Sequence, residues 1–333
     1  MTSAHPLRSK LPIVWLMLLL MIAAIILSPL VGSTHISLWR VFDRSIPFSD
    51  NVDAQIFFIA RLPRALAGAL VGGTLAAAGV VFQGLLRNAL ATPYTLGVSA
   101  GASLGAMMAI TFGATLPIGG PAPASLIGSM LAVSIVYFLA TARRSGLSTT
   151  VLLLAGVTLN SFFSALILFV QYLADFSQMF RAMRWLMGNL DVTSYAPLVS
   201  ALPLVLIAFV AFAWLARPLN LLTLGADAAG ARGVNVTNTQ RLAFFSASLA
   251  TGAAVAVGGP IGFVGIIVPH LVRLMVGSDH RLVLPASVFL GAGFLVACDV
   301  LARVIMAPME LPVGIITALI GGPFFLWMLI KKR

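Results

Sequence analysis

Long runs of apolar residues, separated by short polar segments, follow one another along almost the whole chain. A helix needs about 20 mainly apolar residues to cross the hydrocarbon core of a bilayer. By that measure the sequence predicts ten spans, at residues 11–30, 63–82, 93–113, 123–142, 149–170, 196–216, 242–260, 262–275, 282–302 and 311–330. The eighth is too short to cross alone, and Pro269 within it requires burial among neighbouring helices. We therefore expect an all-α integral membrane protein with a single polytopic domain over residues 1–333.

The amino-acid composition also favours burial in a membrane. Hydrophobic residues make up 60% of the chain and charged residues 9%, whereas soluble domains average about 45–50% and about 25%. A net charge of +11 would suit a nucleic-acid-binding protein, but the basic residues stand singly between apolar runs and form no basic face. We therefore expect contact with lipid and none with nucleic acid.

The distribution of Lys and Arg predicts the orientation, because short cytoplasmic loops carry an excess of both. If the N-terminus lies in the cytoplasm and ten spans alternate, 13 of the 20 basic residues fall inside and 7 outside. The basic ending KKR at 331–333 then also lies inside. Both termini are therefore predicted to be cytoplasmic.

The sequence contains no recognisable energy source of its own. It has no G-x-x-x-x-G-K-[ST] phosphate-binding loop, and its lysines are confined to the two tails. A secondary carrier usually has carboxylates within its spans; here Asp299 comes four residues before Arg303 and can pair with it on one helix face. We expect no bound cofactor, no metal site and no enzymatic activity, with energy arriving from another subunit. A secondary carrier stays a remote alternative.

Three polar segments are candidates for function. The sequence RLPR at 61–64 places two arginines at the predicted outer surface, where Pro63 suits the first turn of a helix. The segments LRNALATPYTL at 86–96 and LSTT at 147–150 lie at the predicted inner mouth. The longest inner loop, about 217–241, is expected to begin where Arg217 and Pro218 end the sixth span.

A short helix is predicted within that inner loop. Asp227 near its start and Arg232 near its end suit the helix dipole. Thr237 and Gln240 fit a capping box that would open the seventh span. A helix this short is stable only when it is docked on something, so we expect a partner surface for it.

Eight motifs, in order along the chain, closely resemble the FecCD-type permeases, the membrane subunits of type II ABC importers for ferric siderophores, haem and cobalamin. The motifs are RLPR at 61–64, GTLAAAGVVFQGLLRN at 73–88, LGVSAGASLG at 96–105, LLLAGV at 152–157, GFVGIIVPHLVRL at 262–274, HRLVLP at 280–285, DVLAR at 299–303 and ELPVGIITALIGGPFFLW at 310–327. The resemblance extends from about residue 11 to 333. One departure is Ala89, which stands where the family's Asn-Pro-Leu-Ala has proline.

The resemblance implies three sets of site residues. Docking of a substrate-binding protein is implied for Arg61, Arg64 and Arg303. A cytoplasmic gate is implied for Asn88, Leu90, Thr149 and Thr150. Coupling to an ATPase is implied for the loop that contains Asp227, Ala228, Gly230, Arg232, Gly233 and Asn235.

The resemblance also implies a type II ABC importer permease fold in the bacterial inner (cytoplasmic) membrane. The implied partners are a second permease subunit (another copy or a paralogue), a periplasmic substrate-binding protein, and two ATPase subunits that hold ATP and Mg²⁺. Transport into the cytoplasm would proceed by alternating access. A ferric siderophore is the expected cargo, and haem and cobalamin are the alternatives.

Overall fold

Helices account for nearly all of the regular structure. The computed structural model describes residues 6–32, 34–113, 119–142 and 149–331, and no strand occurs within these ranges. The helices are α1 Pro6–Leu27, α2 Leu38–Val41, α3 Val52–Gln55, α4 Leu62–Leu86, α5 Val98–Phe112, α6 Pro121–Thr141, α7 Thr149–Leu173, α8 Phe176–Leu186, α9 Ala196–Leu222, α10 Ala226–Gly230, α11 Val236–Gly258, α12 Val264–Val276, α13 His280–Val304 and α14 Val313–Lys331.

Ten of these helices correspond in order to the ten predicted spans. Within the described residues, seven helical stretches are long and apolar enough to cross a membrane, and α5, α12 and α14 are shorter apolar helices. The third predicted span is shortened because residues 93–96 form a separate 3₁₀ turn before α5. Helix α8 was not predicted, although Asp175 and Gln178 form a capping box at its start.

Helix α4 lies at the centre of the bundle and packs against α9, α11, α12 and α13. Glycines allow the closest of these approaches. A Cβ on Gly72 would lie 2.3 Å from the carbonyl oxygen of Gly291, and a Cβ on Gly79 would lie 2.1 Å from that of Gly265. Small residues permit such backbone contact in lipid, where dispersion rather than water exclusion holds helices together.

Three expected boundaries differ from the structure. Pro63 lies in the first turn of α4, as expected, but the span does not begin there, because helical structure runs unbroken over Val52–Leu86. A π-helical segment, Ile56–Arg61, comes just before the proline, and the Leu62 N–H bonds to the Phe57 carbonyl. This wider turn redistributes backbone hydrogen bonds next to a residue that has no N–H to donate.

The other two boundaries enclose the inner loop. Helix α9 continues through Arg217 and Pro218 to Leu222. A proline inside a helix removes one hydrogen bond and favours a kink there, but it does not have to end the helix. Helix α11 begins at Val236, and its N-cap is Asn235, whose side chain accepts a hydrogen bond from the Asn238 N–H at 3.0 Å. The loop between the two helices is therefore residues 223–235 rather than 217–241.

The bundle has two distinct ends. Helices α4 and α13 are antiparallel, so that Arg64 meets Asp299 at one end and Gly84 meets His280 at the other. We call the first the arginine end, defined by Arg61, Arg64 and Arg303. We call the second the loop end, defined by residues 223–235. These correspond to the predicted outer and inner sides.

Replacing Gly79 with Ala should lower the thermal unfolding midpoint of the detergent-solubilised protein, because the new methyl group would overlap the Gly265 carbonyl. Overpacking of this kind typically costs about 1–3 kcal/mol. Gly322→Ala in α14 is the matched control, since no heavy atom lies within 4 Å of the added carbon. Equal midpoints for the two variants would contradict the importance of the α4–α12 contact.

Candidate functional site

The arginine end contains a buried ion-pair network. Arg64 Nε lies 2.9 Å from one carboxylate oxygen of Asp299, and its terminal nitrogen pairs with Glu310. Arg303 Nε lies 3.2 Å from the other Asp299 oxygen. Asp299 therefore pairs with two arginines, one on its own helix and one on α4. The expected pair between Asp299 and Arg303 is confirmed, but it is only part of a larger cluster.

The remaining donors of these arginines bind the backbone that follows α1. Arg303 donates to the carbonyl oxygens of Val31 at 3.0 Å and Ser28 at 3.2 Å. Arg61 donates to the Pro29 carbonyl oxygen at 3.0 Å and to that of Thr34. These four carbonyl groups lie beyond the end of α1, and guanidinium groups with several fixed donors are well suited to satisfy them.

The predicted docking arginines are therefore brought together but are not exposed. The relative exposures of Arg61, Arg64 and Arg303 are 6%, 6% and 2%. The expectation that Arg61 and Arg64 lie on the outer surface is wrong, because Asp299, Glu310 and the carbonyls of 28–34 draw them inward. Their docking role stays a prediction.

The predicted gate residues lie towards the loop end. Helix α4 ends at Leu86, and its C-cap Arg87 has a φ of 48°, in the left-handed region. Asn88 and Leu90 follow on an exposed turn, in which the Asn88 side-chain oxygen accepts from the Leu90 N–H at 2.9 Å. Thr150 is exposed at the start of α7; Leu147, Ser148 and the side chain of Thr149 lie outside the described residues.

The predicted coupling residues form an exposed loop anchored at one point. Helix α10 follows Gly225, which has a φ of 111°, and Gly233 has a φ of 83°. Ala229 is fully buried and holds α10 against the bundle. Of the coupling residues, Ala228 is half-buried, and Asp227, Gly230, Arg232, Gly233 and Asn235 are exposed.

A polar cluster that the sequence did not predict supports this loop. The Asn220 side-chain oxygen accepts from the His280 N–H at 2.9 Å, and its amide donates to Asp279 at 2.7 Å. Hydrogen bonds from Arg281 lower the pKa of Asp279 to about 2, so the carboxylate stays ionised at neutral pH. The link joins the end of α9 to the start of α13, three residues before the loop begins.

Comparison with known proteins identifies the architecture. The model of the FecCD transport family matches residues 19–331. The chain belongs to the FecCD transport family. The chain is thus a multi-pass membrane permease of the ABC importer class, as its motifs and its apolar helices predicted.

Two relatives and one solved structure illustrate the relationship. The cobalamin import system permease protein BtuC of Halobacterium salinarum is 45% identical over 269 residues, covering 81% of this chain and 72% of that protein. The hemin transport system permease protein HmuU of Yersinia pestis is 36% identical, covering 98% and 97%. An inward-facing metal-chelate type ABC transporter superposes with a TM-score of 0.85 at 32% identity, covering 96% and 99%.

Several polar side chains of this FecCD permease lie deep within the bundle and were missed by the sequence. The side chain of Gln83 accepts from Arg273 and donates to the Gly265 carbonyl oxygen at 3.0 Å. Asn160 donates to the Tyr94 carbonyl oxygen at 2.7 Å. The position of these polar residues inside apolar segments was the signal that the sequence offered. Only the three-dimensional structure shows which backbone carbonyl groups they bind.

Replacing Asp299 with Asn should destabilise the permease strongly, because it leaves Arg64 and Arg303 buried without their shared counter-charge. Removing one partner of a buried pair typically costs about 3–5 kcal/mol. Asp191→Asn is the matched control: its pair with Arg184 has side chains 50% and 53% exposed, and exposed pairs contribute about 0–1 kcal/mol. Thermal unfolding in detergent measures both, and similar midpoints would refute a stabilising role for the network.

Proposed function

We propose that this chain forms the membrane pathway through which a metal chelate enters the cytoplasm by alternating access. A second permease subunit completes the pathway, and a second copy of this chain is the simplest candidate. Two separate ATPase subunits hold ATP and Mg²⁺ and drive the cycle. A periplasmic substrate-binding protein delivers the chelate to the arginine end, in the inner membrane of a bacterium.

The exposed coupling loop is the observation that carries this proposal. Residues 223–235 project from the loop end, with exposed Asp227 and Arg232, while Ala229 fixes α10 to the bundle. Such a loop presents a polar surface to a partner. Because α9 ends and α11 begins beside the loop, a movement of the partner is transmitted through it to both helices. A secondary carrier has no need of this device.

The arginine end supports delivery by an acidic partner. Three arginines and two carboxylates leave the buried network with one positive charge in excess. Glu310 is its most exposed member, with 40% of the side chain accessible. Docking would require acids of the binding protein to compete with Glu310 and with the carbonyls of residues 28–34.

A ferric siderophore is the proposed cargo. Cobalamin is the second candidate, favoured by the 45% identity to a cobalamin permease, and haem is the third. All three are large metal chelates with both apolar and polar surfaces.

Uptake by cells that lack this chain tests the function and its cargo together. We expect accumulation of a radioactive ferric siderophore to be lost on deletion and restored by the wild-type gene, whereas uptake of labelled cobalamin and of haem is unchanged. Dependence of cobalamin uptake on the gene would replace the proposed cargo with the second candidate. If uptake of all three is independent of the gene, the proposed function is wrong.

A cysteine introduced at Asp227 should crosslink to the ATPase subunit, and the yield should change when ATP is added. The reason is that exposed Asp227 lies in the one-turn helix α10, which Ala229 anchors to the bundle. Ser49→Cys, exposed near the arginine end, is the control and should not crosslink. The native Cys298 is buried and should not react. Absence of the Asp227 crosslink in every nucleotide state would contradict the coupling role.

A further inference from the structure

Two interruptions of the helical backbone meet within the bundle, the first by way of residues 91–97, since residues 87–90 lie on the exposed turn at the loop end. Residues 87–97 separate α4 from α5, and residues 259–263 separate α11 from α12. Tyr94, in the first break, is bound by Asn160 of α7. Asn160 lies roughly 17 Å along α7 from Thr149 at a rise of 1.5 Å per residue, which is about half the thickness of the hydrocarbon core. Both breaks therefore reach the middle of the membrane.

Side chains from other elements satisfy the backbone of these breaks. The Tyr94 hydroxyl donates to the Ile261 carbonyl oxygen in the second break. Asn160 holds the Tyr94 carbonyl oxygen at 2.7 Å. Just beyond the second break, in the first turn of α12, Gln83 donates at 3.0 Å to the Gly265 carbonyl oxygen, which Pro269 leaves without its helical N–H partner. Irregular backbone at this depth is tolerated only where it is buried in protein or lines a cavity. Here the bond between Tyr94 and Ile261 joins the two breaks directly.

Two cavities of different character share Tyr94 as a wall. The first, of about 510 Å³, lies between α5 and α7 and extends to Gln171 and Leu186, towards the arginine end. Its polar lining consists of Tyr94, Ser99, Ser103, Asn160, Ser164 and Gln171. The second, of about 260 Å³, is mostly apolar and extends from Tyr94 past Phe263 to Ile266, towards the loop end.

We propose that Tyr94 is the barrier residue between these two cavities and that it must move for cargo to pass. The inference rests on the proposed function and deepens it by naming the residue that closes the pathway at mid-membrane. The polar cavity lies along the path of the chelate on the arginine side of Tyr94. The apolar cavity, which at about 260 Å³ is too small to enclose a whole chelate, marks where the path widens on the other side once Tyr94 moves.

The surroundings of Tyr94 suit a movable barrier. Among the residues that the structure describes, one hydrogen bond crosses between the two breaks, from the Tyr94 hydroxyl to the Ile261 carbonyl oxygen. Phe263 has a φ of 68°, a left-handed conformation that side chains rarely adopt and that is often found where a segment moves. No heavy atom lies within 4 Å of a Cβ built on Gly262, so the second break has open space beside it.

The lining of the larger cavity indicates the chemical class of cargo that this cavity accepts. Ser103 is 5% exposed and lines this cavity, and its hydroxyl makes no hydrogen bond to another side chain or backbone group within the described residues. The Asn160 amide uses its nitrogen on Tyr94 and retains its oxygen. Free hydroxyl and amide groups suit a chelate with amide, hydroxyl or carboxylate groups at its surface, and they would hold a purely apolar cargo poorly.

Cysteine accessibility in the assembled transporter tests this barrier. Ser164→Cys reports on the polar cavity and Ile266→Cys on the apolar one. A membrane-impermeant thiol reagent is added from the periplasmic side of nucleotide-free membranes. We expect Ser164→Cys to react in every background and Ile266→Cys to react little when Tyr94 is present. Adding Tyr94→Ala should open the path and raise labelling of Ile266→Cys about tenfold or more, as expected when a minor open state becomes the major one.

The variant Tyr94→Phe tests the contribution of the hydrogen bond separately from that of the aromatic ring. It keeps the barrier and removes only the hydroxyl, so labelling of Ile266→Cys should rise about three- to tenfold, in proportion to the loss of one hydrogen bond. Unchanged labelling of Ile266→Cys with Tyr94→Ala, or full labelling with Tyr94 in place, would overturn the proposal. These labelling outcomes do not depend on which cargo is carried, so failure of the uptake experiment is distinguishable from failure of the barrier.

Discussion

Every backbone N–H and C=O group within the hydrocarbon region must find its partner inside the protein, and the rest of the structure follows from this constraint. Long helices meet it along most of the chain. Where the helices stop at mid-membrane, side chains supply the hydrogen bonds: Tyr94 donates to the Ile261 carbonyl and Asn160 to that of Tyr94. Gln83 does the same inside α12 for the Gly265 carbonyl, which Pro269 leaves without a helical partner. The polar residues in otherwise apolar segments are therefore placed by the breaks they satisfy.

The same constraint explains why the arginine end is closed rather than open. A charge that is withdrawn from water needs both a counter-charge and hydrogen bonds. Asp299 supplies the first to Arg64 and Arg303, and the carbonyls of residues 28–34 supply the second to Arg61 and Arg303. The network thus links the segment after α1 to α4 and α13. Any partner that binds the arginines has to break some of these ion pairs and hydrogen bonds.

Sequence periodicity and composition were enough to predict the number and order of the apolar helices, because span length and hydrophobicity are local properties. The motifs were enough to predict the family. The exposure of Arg61 and Arg64 was predicted wrongly, since their acceptors lie at residues 28–34 and 299–310, far away along the chain. Helix α8 was missed because its apolar residues follow an amphipathic pattern that a search for continuous apolar runs does not detect. The role of Tyr94 depends on Ile261, 167 residues away, and no local pattern links the two.

The two ends and the middle of the bundle differ in how firmly they are held. The arginine end is tied by several charged hydrogen bonds, and the loop end is tied by Ala229, Asn220 and Asp279 beneath an exposed loop. In the middle, the described residues show one hydrogen bond between the two broken backbones, from the Tyr94 hydroxyl to the Ile261 carbonyl oxygen. A force applied at the loop end therefore meets rigid helices first, and helices transmit displacement along their length. A modest movement of α11, which leads into the second break, can be relieved by separating the two breaks, because that separation gives up a neutral hydrogen bond, whereas movement at the arginine end gives up several charged ones.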